Sequence, residues 1–323
     1  GLTGGKLLRE MFADRFGLDE PLTDSVGLSL MGQMLAFTTD SYVVDPVFFP
    51  GGNIGKLAVC GTINDLCVAG AIPQYLSAAF IIEEGFPVDE LRQIVDSMSE
   101  ECDKAGARIV TGDTKVVERG KCDRIFITTT GTGIIRPGCE HIGKAEKVKN
   151  GDCLLINGAL GNHSIAVLGA RKELSFTSPV TSDCASLKDL ISDILQASGN
   201  INFMRDLTRG GLASVLNELA QMTSMGIAVD EYSIPVDEPV AGLCEMFGFD
   251  PLYLANEGKL LVVVSEEDSE KVLKVMRSNP LGTSAGLIGR ISGETGGRVV
   301  VNTFTGGSRI LDLPSGTQLP RIC

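Results

Sequence analysis

Histidine is almost missing from this chain, which holds only His141 and His163. That leaves little for a zinc site to be built from. The nine cysteines, at positions 60, 67, 102, 122, 139, 153, 184, 244 and 323, include no CxxC pair and are odd in number. Most lie among apolar neighbours, as in Ala58-Val-Cys60 and Asp152-Cys-Leu-Leu155. Buried, reduced thiols of a cytoplasmic protein are therefore expected. No run of about 18 apolar residues occurs, so no segment is expected to span a bilayer. The stretch Gly1-Leu-Thr-Gly-Gly-Lys6 lacks the pattern of a signal peptide. Positive charge is in deficit, with 28 Lys and Arg against 41 Asp and Glu and a formal charge of -13. Such a chain does not hold nucleic acid or an anionic membrane through bulk electrostatics. A phosphate ligand would need local cations or a metal. The familiar nucleotide signatures are also missing. Leu7 follows Gly5-Lys6, so there is no P-loop, and no GxGxxG follows a strand, so a dinucleotide fold is not supported.

What is present is a hydrophobic content of 43% over 323 residues, enough for one large or two ordinary domains. Aromatic residues are only 5% while glycine numbers 39, which points to tight turns and close backbone approaches. Patterning predicts strands over residues 34–44, 76–82 and 124–135. It predicts an apolar helix over 54–69 and an amphipathic helix over 88–105. In the latter, Val88, Leu91, Ile94, Val95, Met98 and Cys102 recur at three- and four-residue steps. Residues 108–110 read as a strand stub ending in a turn at Thr111-Gly-Asp113. The polar stretch 144–151 reads as a boundary. Beyond it, strands are expected near 153–156, 260–265, 287–291 and 299–304, and helices near 187–197 and 212–222. Strands and helices mix without strict alternation, so the fold class is α+β. The end, Leu313-Pro-Ser-Gly-Thr-Gln-Leu-Pro-Arg-Ile-Cys323, has two prolines and few apolar residues. It cannot pack on a core, and it reads either as a frayed terminus or as an arm whose terminal thiol can enter an active site. Roughly ten residues at about 3.3–3.6 Å each reach some 35 Å.

Four aspartates share one kind of setting, where an apolar element meets a turn or carries a lone charge. They are Asp40 in Phe37-Thr-Thr-Asp40, Asp65 in Ile63-Asn-Asp-Leu66, Asp113 in Thr111-Gly-Asp-Thr114, and Asp206 in Met204-Arg-Asp-Leu207. A carboxylate such as Asp65 among apolar residues is costly unless paired. A divalent cation would satisfy it, and Mg²⁺ favours a few carboxylates with phosphate oxygens. The plainer alternative is that each caps a turn or helix. The run Asp206-Leu-Thr208-Arg209-Gly210-Gly211 opens into a helix, whose first N–H groups favour anions, and Arg209 adds a forked donor. Lys115 beside Asp113 suits developing phosphate charge, or is a solvated strand lysine. Glu257, before Gly258, suits a polar group aimed into a cleft, or an exposed turn. His163 in Gly161-Asn-His-Ser164 is explained by capping or solvent exposure.

Together, Thr38-Thr-Asp40, Ile63-Asn-Asp-Leu66, Thr111-Gly-Asp-Thr-Lys115 and Asp206-Leu-Thr-Arg-Gly-Gly-Leu212 resemble the AIR synthetase-related (PurM-like) ATP-dependent family over nearly the whole chain. Within it, Leu319-Pro-Arg-Ile-Cys323, Ser182-Asp-Cys-Ala185 and Ala255-Asn-Glu-Gly258 resemble the carbamoyl dehydratase branch of hydrogenase maturation. The resemblance implies two α+β domains, 1–149 and 150–308, and a flexible tail, 309–323. It implies N-terminal sheets paired across a homodimer, and ATP with Mg²⁺ in the cleft. It implies metal binding by Asp40, Asp65, Asp113 and Asp206, and nucleotide contacts from Gly5, Lys6, Asp40, Asp65, Asp113, Thr208, Arg209, Gly210 and Gly211. It implies catalytic roles for Cys323, Lys115 and Glu257. Cys323 would receive a carbamoyl group from the carbamoyltransferase HypF. ATP would drive its dehydration to thiocyanate, and the cyano group would pass to iron on a HypC–HypD scaffold of a [NiFe] hydrogenase. The family's His-Gly-x-Gly-Gly opening stands here as Gly1-Leu-Thr-Gly-Gly5, and its Gly-Asp-His-Gly as Gly161-Asn-His-Ser164. The rivals are selenophosphate synthetase or a purine-pathway ligase of the same family, a carrier that presents Cys323 without catalysis, and a binding or structural α+β protein with a frayed end. Selenide chemistry would call for a cysteine in the N-terminal glycine loop, and residues 1–59 contain none.

Overall fold

The computed structural model describes residues 23–171, 179–293 and 296–313. The N-terminal unit comprises β1 (Val26–Leu30), β2 (Gln33–Tyr42), a short β3 (Phe48–Phe49) and β4 (Gly52–Asn53) ribbon, and α1 (Ile54–Val68). These are followed by β5 (Ala71–Glu83), α2 (Val88–Ala105), β6 (Arg108–Val117) and β7 (Ile125–Ile135). Its five-stranded sheet has the order β1-β2-β7-β5-β6, with β5 and β6 parallel and the other pairs antiparallel. The parallel pair is joined through α2. That helix starts without a side-chain cap and ends on Gly106 at φ 63°, a left-handed residue that stops it.

The C-terminal unit holds β8 (Cys153–Ile156), α3 (Asn162–Gly169), α4 (Lys188–Ala197), β9 (Ile201–Asp206), α5 (Gly211–Thr223), β10 (Gly226–Asp230) and α6 (Glu238–Phe247). It continues with β11 (Leu260–Val264), α7 (Glu266–Ser278), β12 (Gly286–Ser292), β13 (Val299–Asn302) and β14 (Ser308–Ile310). Its seven strands run β14-β13-β10-β12-β8-β11-β9. Alternate residues of β11 serve two cores. Leu260, Val262 and Val264 pack with Leu190, Ile194, Val272 and Met276. Leu261 and Val263 pack with Leu212, Leu216 and Leu219 of α5 on the other face.

The seam between the units is apolar. Every residue of α1 except Lys56 is buried. A helix apolar on all sides must be covered on all sides. Here the N-terminal sheet and α2 flank it, and the apolar cluster continues through Leu187, Ile191, Ile201 and Met204 of the second unit. Asn53 caps its start, accepting from the N–H groups of Gly55 (2.9 Å) and Lys56 (3.1 Å).

Three expectations need correction. The stub at 108–110 is a full strand running through Thr111-Gly-Asp-Thr-Lys115, so Asp113 lies in a strand and not in a turn. Gly112 reads as turn punctuation but marks a close approach, since a Cβ there would meet the Ala78 carbonyl oxygen at 2.1 Å. The apolar stripe of α2 is narrower than read. Ile94, Met98, Cys102 and Ala105 are buried, whereas Val88 (67%) and Val95 (45%) are exposed. The C-terminal sheet also runs past residue 308, where the tail boundary was placed. β14 pairs with β13, and Leu311 is buried.

Candidate active site

The site forms where β9 ends. Strand β9 delivers Asp206, α1 carries Asp65, and Asp24 lies just ahead of β1. The three offer carboxylate oxygens all within 4.8 Å of one another. Asp24 is absent from the sequence candidates, because Leu22-Thr-Asp-Ser25 reads as an ordinary polar turn and only the fold carries it to the seam. Arg205 forks onto it, with Nε 2.8 Å from Oδ2 and Nη1 2.9 Å from Oδ1. Nη1 also lies 3.2 Å from Glu218. Asp40 projects from β2 on the same face as Thr38 and Tyr42, and the Tyr42 hydroxyl donates to it at 3.3 Å. Asp65 lies close enough to Asp40 to influence its carboxyl. Thr38 Oγ1 lies 2.7 Å from the Asp24 carbonyl oxygen and 2.8 Å from Asp65 Oδ2. A hydroxyl has one proton, so Thr38 divides it between the two acceptors, and its bond to Asp65 favours the ionised carboxylate.

Burial, then repulsion from Asp206, Asp24 and Asp40, pushes the Asp65 carboxyl well above the ordinary range. Burial and Asp24 do the same for Asp206. Burial raises Asp24 to about 6, although Arg205 opposes it. Asp40 is also raised, chiefly by burial. A nest of carboxylates this desolvated holds protons or a cation. All the donors are hard oxygens, the set that suits Mg²⁺ or Ca²⁺.

From Asp206 the chain turns through Leu207, Thr208, Arg209 and Gly210 into α5. Gly210 (φ 78°) and Gly211 (φ 59°) are both left-handed, and a Cβ on Gly211 would meet the Leu254 carbonyl oxygen at 2.5 Å. Only glycine fits there. Arg209 is exposed, and its charge favours ionised Asp40. Glu257 is 4% exposed, so it is no surface turn. Burial first, then the nearby Cys184, Asp206, Asp183 and Asp40, raise its carboxyl well above the ordinary range. It is buried close enough to those acidic groups to be raised by them. His163 is wholly buried, contrary to the cap or solvent reading, and its Nδ1 pairs with Ser182 Oγ at 2.8 Å.

The structure thus gathers Asp40, Asp65, Asp206, Glu257 and the turn Thr208–Gly211. It does not bring Asp113 or Lys115 to them within one chain. Asp40 pairs in register with Thr129, Thr129 with Ala78, and Ala79 with Asp113. That places Asp113 three strands away, roughly 14 Å at about 4.8 Å per strand, on the opposite face. Gly5, Lys6 and Cys323 lie outside the described residues.

Comparison with known proteins identifies the family. The N-terminal domain of AIR synthase related proteins matches residues 24–135, and the C-terminal domain matches 149–302. Carbamoyl dehydratase HypE of Rhodobacter capsulatus is 51% identical over 328 residues, spanning 99% of this chain and 96% of that protein. A HypE–HypF complex superposes with a TM-score of 0.89 at 47% identity, covering 96% of this chain and 100% of that one. A HypE structure in complex with ATP superposes with a TM-score of 0.85 at 44% identity, covering 100% and 97%. With its two domain matches and full-length identity, the chain belongs to the AIR synthase-related family and, within it, to the HypE carbamoyl dehydratases.

Proposed function

We propose that this chain dehydrates a carbamoyl group carried on its own Cys323 to a thiocyanate, using ATP and Mg²⁺ in the seam between its two domains. Full-length identity to HypE favours this over selenide or purine-ligase chemistry. The observation that carries it is the buried nest of Asp24, Asp65 and Asp206, whose carboxylate oxygens lie within 4.8 Å of one another. Amide oxygen does not leave unaided, and bound ATP supplies the phosphoryl group that lets it leave as phosphate. The overall balance is thiocarbamate plus ATP giving thiocyanate, ADP and phosphate.

Each residue then has a bounded task. Asp24, Asp65 and Asp206, with Asp40 beside them, would hold the cation. Arg209 and the glycine turn at the start of α5 would meet phosphate oxygens. Glu257 would take the protons that the amide nitrogen loses. With the charge on its neighbours neutralised, a carboxyl so placed is ionised and able to accept a proton. HypF, found with HypE in the solved complex, is the carbamoyl donor, and a HypC–HypD scaffold is the acceptor of the cyano group. Among the described residues six buried free thiols accompany this chemistry, and together with the ATP requirement they fit the cytoplasm.

The test is the intact mass of the protein after incubation with HypF, carbamoyl phosphate and ATP. The expected result is a carbamoyl gain followed by loss of one water, mapped to the terminal peptide, with phosphate released. The Cys323→Ala chain should show neither change yet still bind ATP. Equal labelling of that variant would remove Cys323 from the reaction. Carbamoylation without phosphate release by the purified chain would favour the carrier reading.

A further inference from the structure

The carboxyl of Asp183 lies outside the acidic nest and is used by no step above, yet it is the most heavily bonded anion near Glu257. Its Oδ1 accepts the Glu257 backbone N–H at 3.2 Å, and its Oδ2 accepts the Gly258 N–H at 3.2 Å. Lys259 Nζ stands 3.1 Å from the same Oδ2, and the two side chains are only 13% and 5% exposed. Burial pushes the Asp183 carboxyl up, but Lys259, His163 and the N–H bonds outweigh it and hold it ionised. The return bond runs from Ala185 N–H to the Glu257 carbonyl at 3.3 Å. Gly258 makes the approach possible, since a Cβ there would lie 2.0 Å from the Asp183 carbonyl oxygen.

The loop that carries Asp183 is fastened at its other end to the helix of the acidic nest. Asn64, next to Asp65 on α1, donates to the Ala185 carbonyl at 3.1 Å and accepts from the Leu187 N–H at 2.8 Å. Ser182 N–H donates to the Pro50 carbonyl at 2.8 Å. Residues 182–187 therefore form a strap between the helix that bears Asp65 and the segment that bears Glu257. Two reacting groups on different domains are held in one geometry by this strap, and Asp183 is its fastening on the Glu257 side.

The geometry assigns Asp183 as a positioning residue, which fixes the place of Glu257 by gripping the backbone of residues 257 and 258. The assignment rests on reading Glu257 as the base. A charged acceptor receiving three donors, with no room to shift against Gly258, determines where the next side chain points. A misplacement of 1 Å at such a group can cost about 100-fold in rate.

A double-mutant cycle tests it. Asp183→Asn keeps the shape but leaves one donor without its acceptor. The readouts are the single-turnover rate of water loss from the carbamoylated chain at saturating ATP, and ATP affinity. Asp183→Asn is expected to slow water loss by about 10- to 100-fold while ATP affinity stays within about threefold. In the Glu257→Gln background the same substitution should cause no further slowing, because a support has no effect once the supported group is gone. Full rate in Asp183→Asn, or slowing that multiplies in the double variant, overturns the assignment and leaves the base reading intact. Full rate in Glu257→Gln alone overturns the base reading. Should Asp183→Asn fail to fold, Lys259→Gln loosens the same carboxylate while keeping its backbone bonds. Its slowing should likewise vanish in the Glu257→Gln background, and multiplicative slowing there overturns the assignment.

Discussion

Asp24 shows at the scale of one residue how the seam stores charge. Its carboxyl titrates at about 6 in the fold against an ordinary value of 3.8, with burial as the main cause. A carboxyl raised by folding contributes stability that is complete below its unfolded pKa and is lost as the pH rises through the folded one. For Asp24 that window runs from 3.8 to about 6, and Asp65 and Asp206 carry the same sign to higher pH. Without a divalent cation the protein should therefore lose stability from mild acid to neutral pH. Mg²⁺ should raise the melting temperature little at pH 5 and by several degrees at pH 7.5, read by thermal unfolding. Asp65→Asn should raise the Mg²⁺-free melting temperature at pH 7.5 by about 2 °C or more and erase the response to Mg²⁺. An equal Mg²⁺ response at both pH values would refute the account. Asp40, Asp65 and Asp206 were legible in the sequence because a lone carboxylate in an apolar run is conspicuous. Asp24 was not, since its neighbours are Thr23 and Ser25 and its partners are 41 and 182 residues away in the chain. His163 was misread because a histidine after Gly161-Asn162 looks like a cap, and nothing local announces that Ser182 and Phe49 will enclose it.

At the scale of elements, the turn from β9 into α5 is the part with least freedom. Gly211 is left-handed, and a Cβ there would collide with the Leu254 and Leu252 carbonyl oxygens at 2.5 and 2.7 Å. Gly211→Ala should cost about 3 kcal/mol or more, from the strained φ and the clash together. Gly138→Ala is the control, because Gly138 has φ 83° with nothing within 4 Å, and it should cost only about 1–2 kcal/mol. Urea midpoints at constant m-value measure both, and equal costs would mean that the backbone yields at Leu254. The helix α2 was legible end to end, because its period, its acidic first turn and its Gly106 stop agree. Strand β9 was not, because Ile201–Asp206 is buried at every position and shows no alternation. Strand β6 was cut short because Thr111-Gly-Asp113 imitates a turn.

At the scale of the whole molecule, one face of the N-terminal sheet is uncovered among the described residues. Strand register places Val26, Phe37, Thr132 and Tyr75 in one row of that face, and Leu28, Leu35, Ile134 and Ile72 in the next. Val26, Leu28 and Tyr75 are 49%, 47% and 50% exposed. Such a patch marks an interface, and a second copy of the chain is the proposed cover. It would also account for Asp113 and Lys115, which look away from their own chain's acidic nest and would serve the other's. Mixing an Asp65→Asn chain with an Asp113→Asn chain, each inactive alone, should then restore about a quarter of wild-type turnover through random pairing. No recovery on mixing would confine each site to one chain. Neither partner nor pairing was readable from composition or period, because an outward-facing strand reads the same whether water or protein covers it. The burial of α1 has a further consequence. Ile54, Leu57 and Ile63 lie at 0% exposure in a cluster that spans both domains, and parting the domains would wet the faces they share with the second one, at up to about 1.5–3 kcal/mol each. Opening the seam as a hinge would carry that cost, so the two domains are expected to stay together as one block.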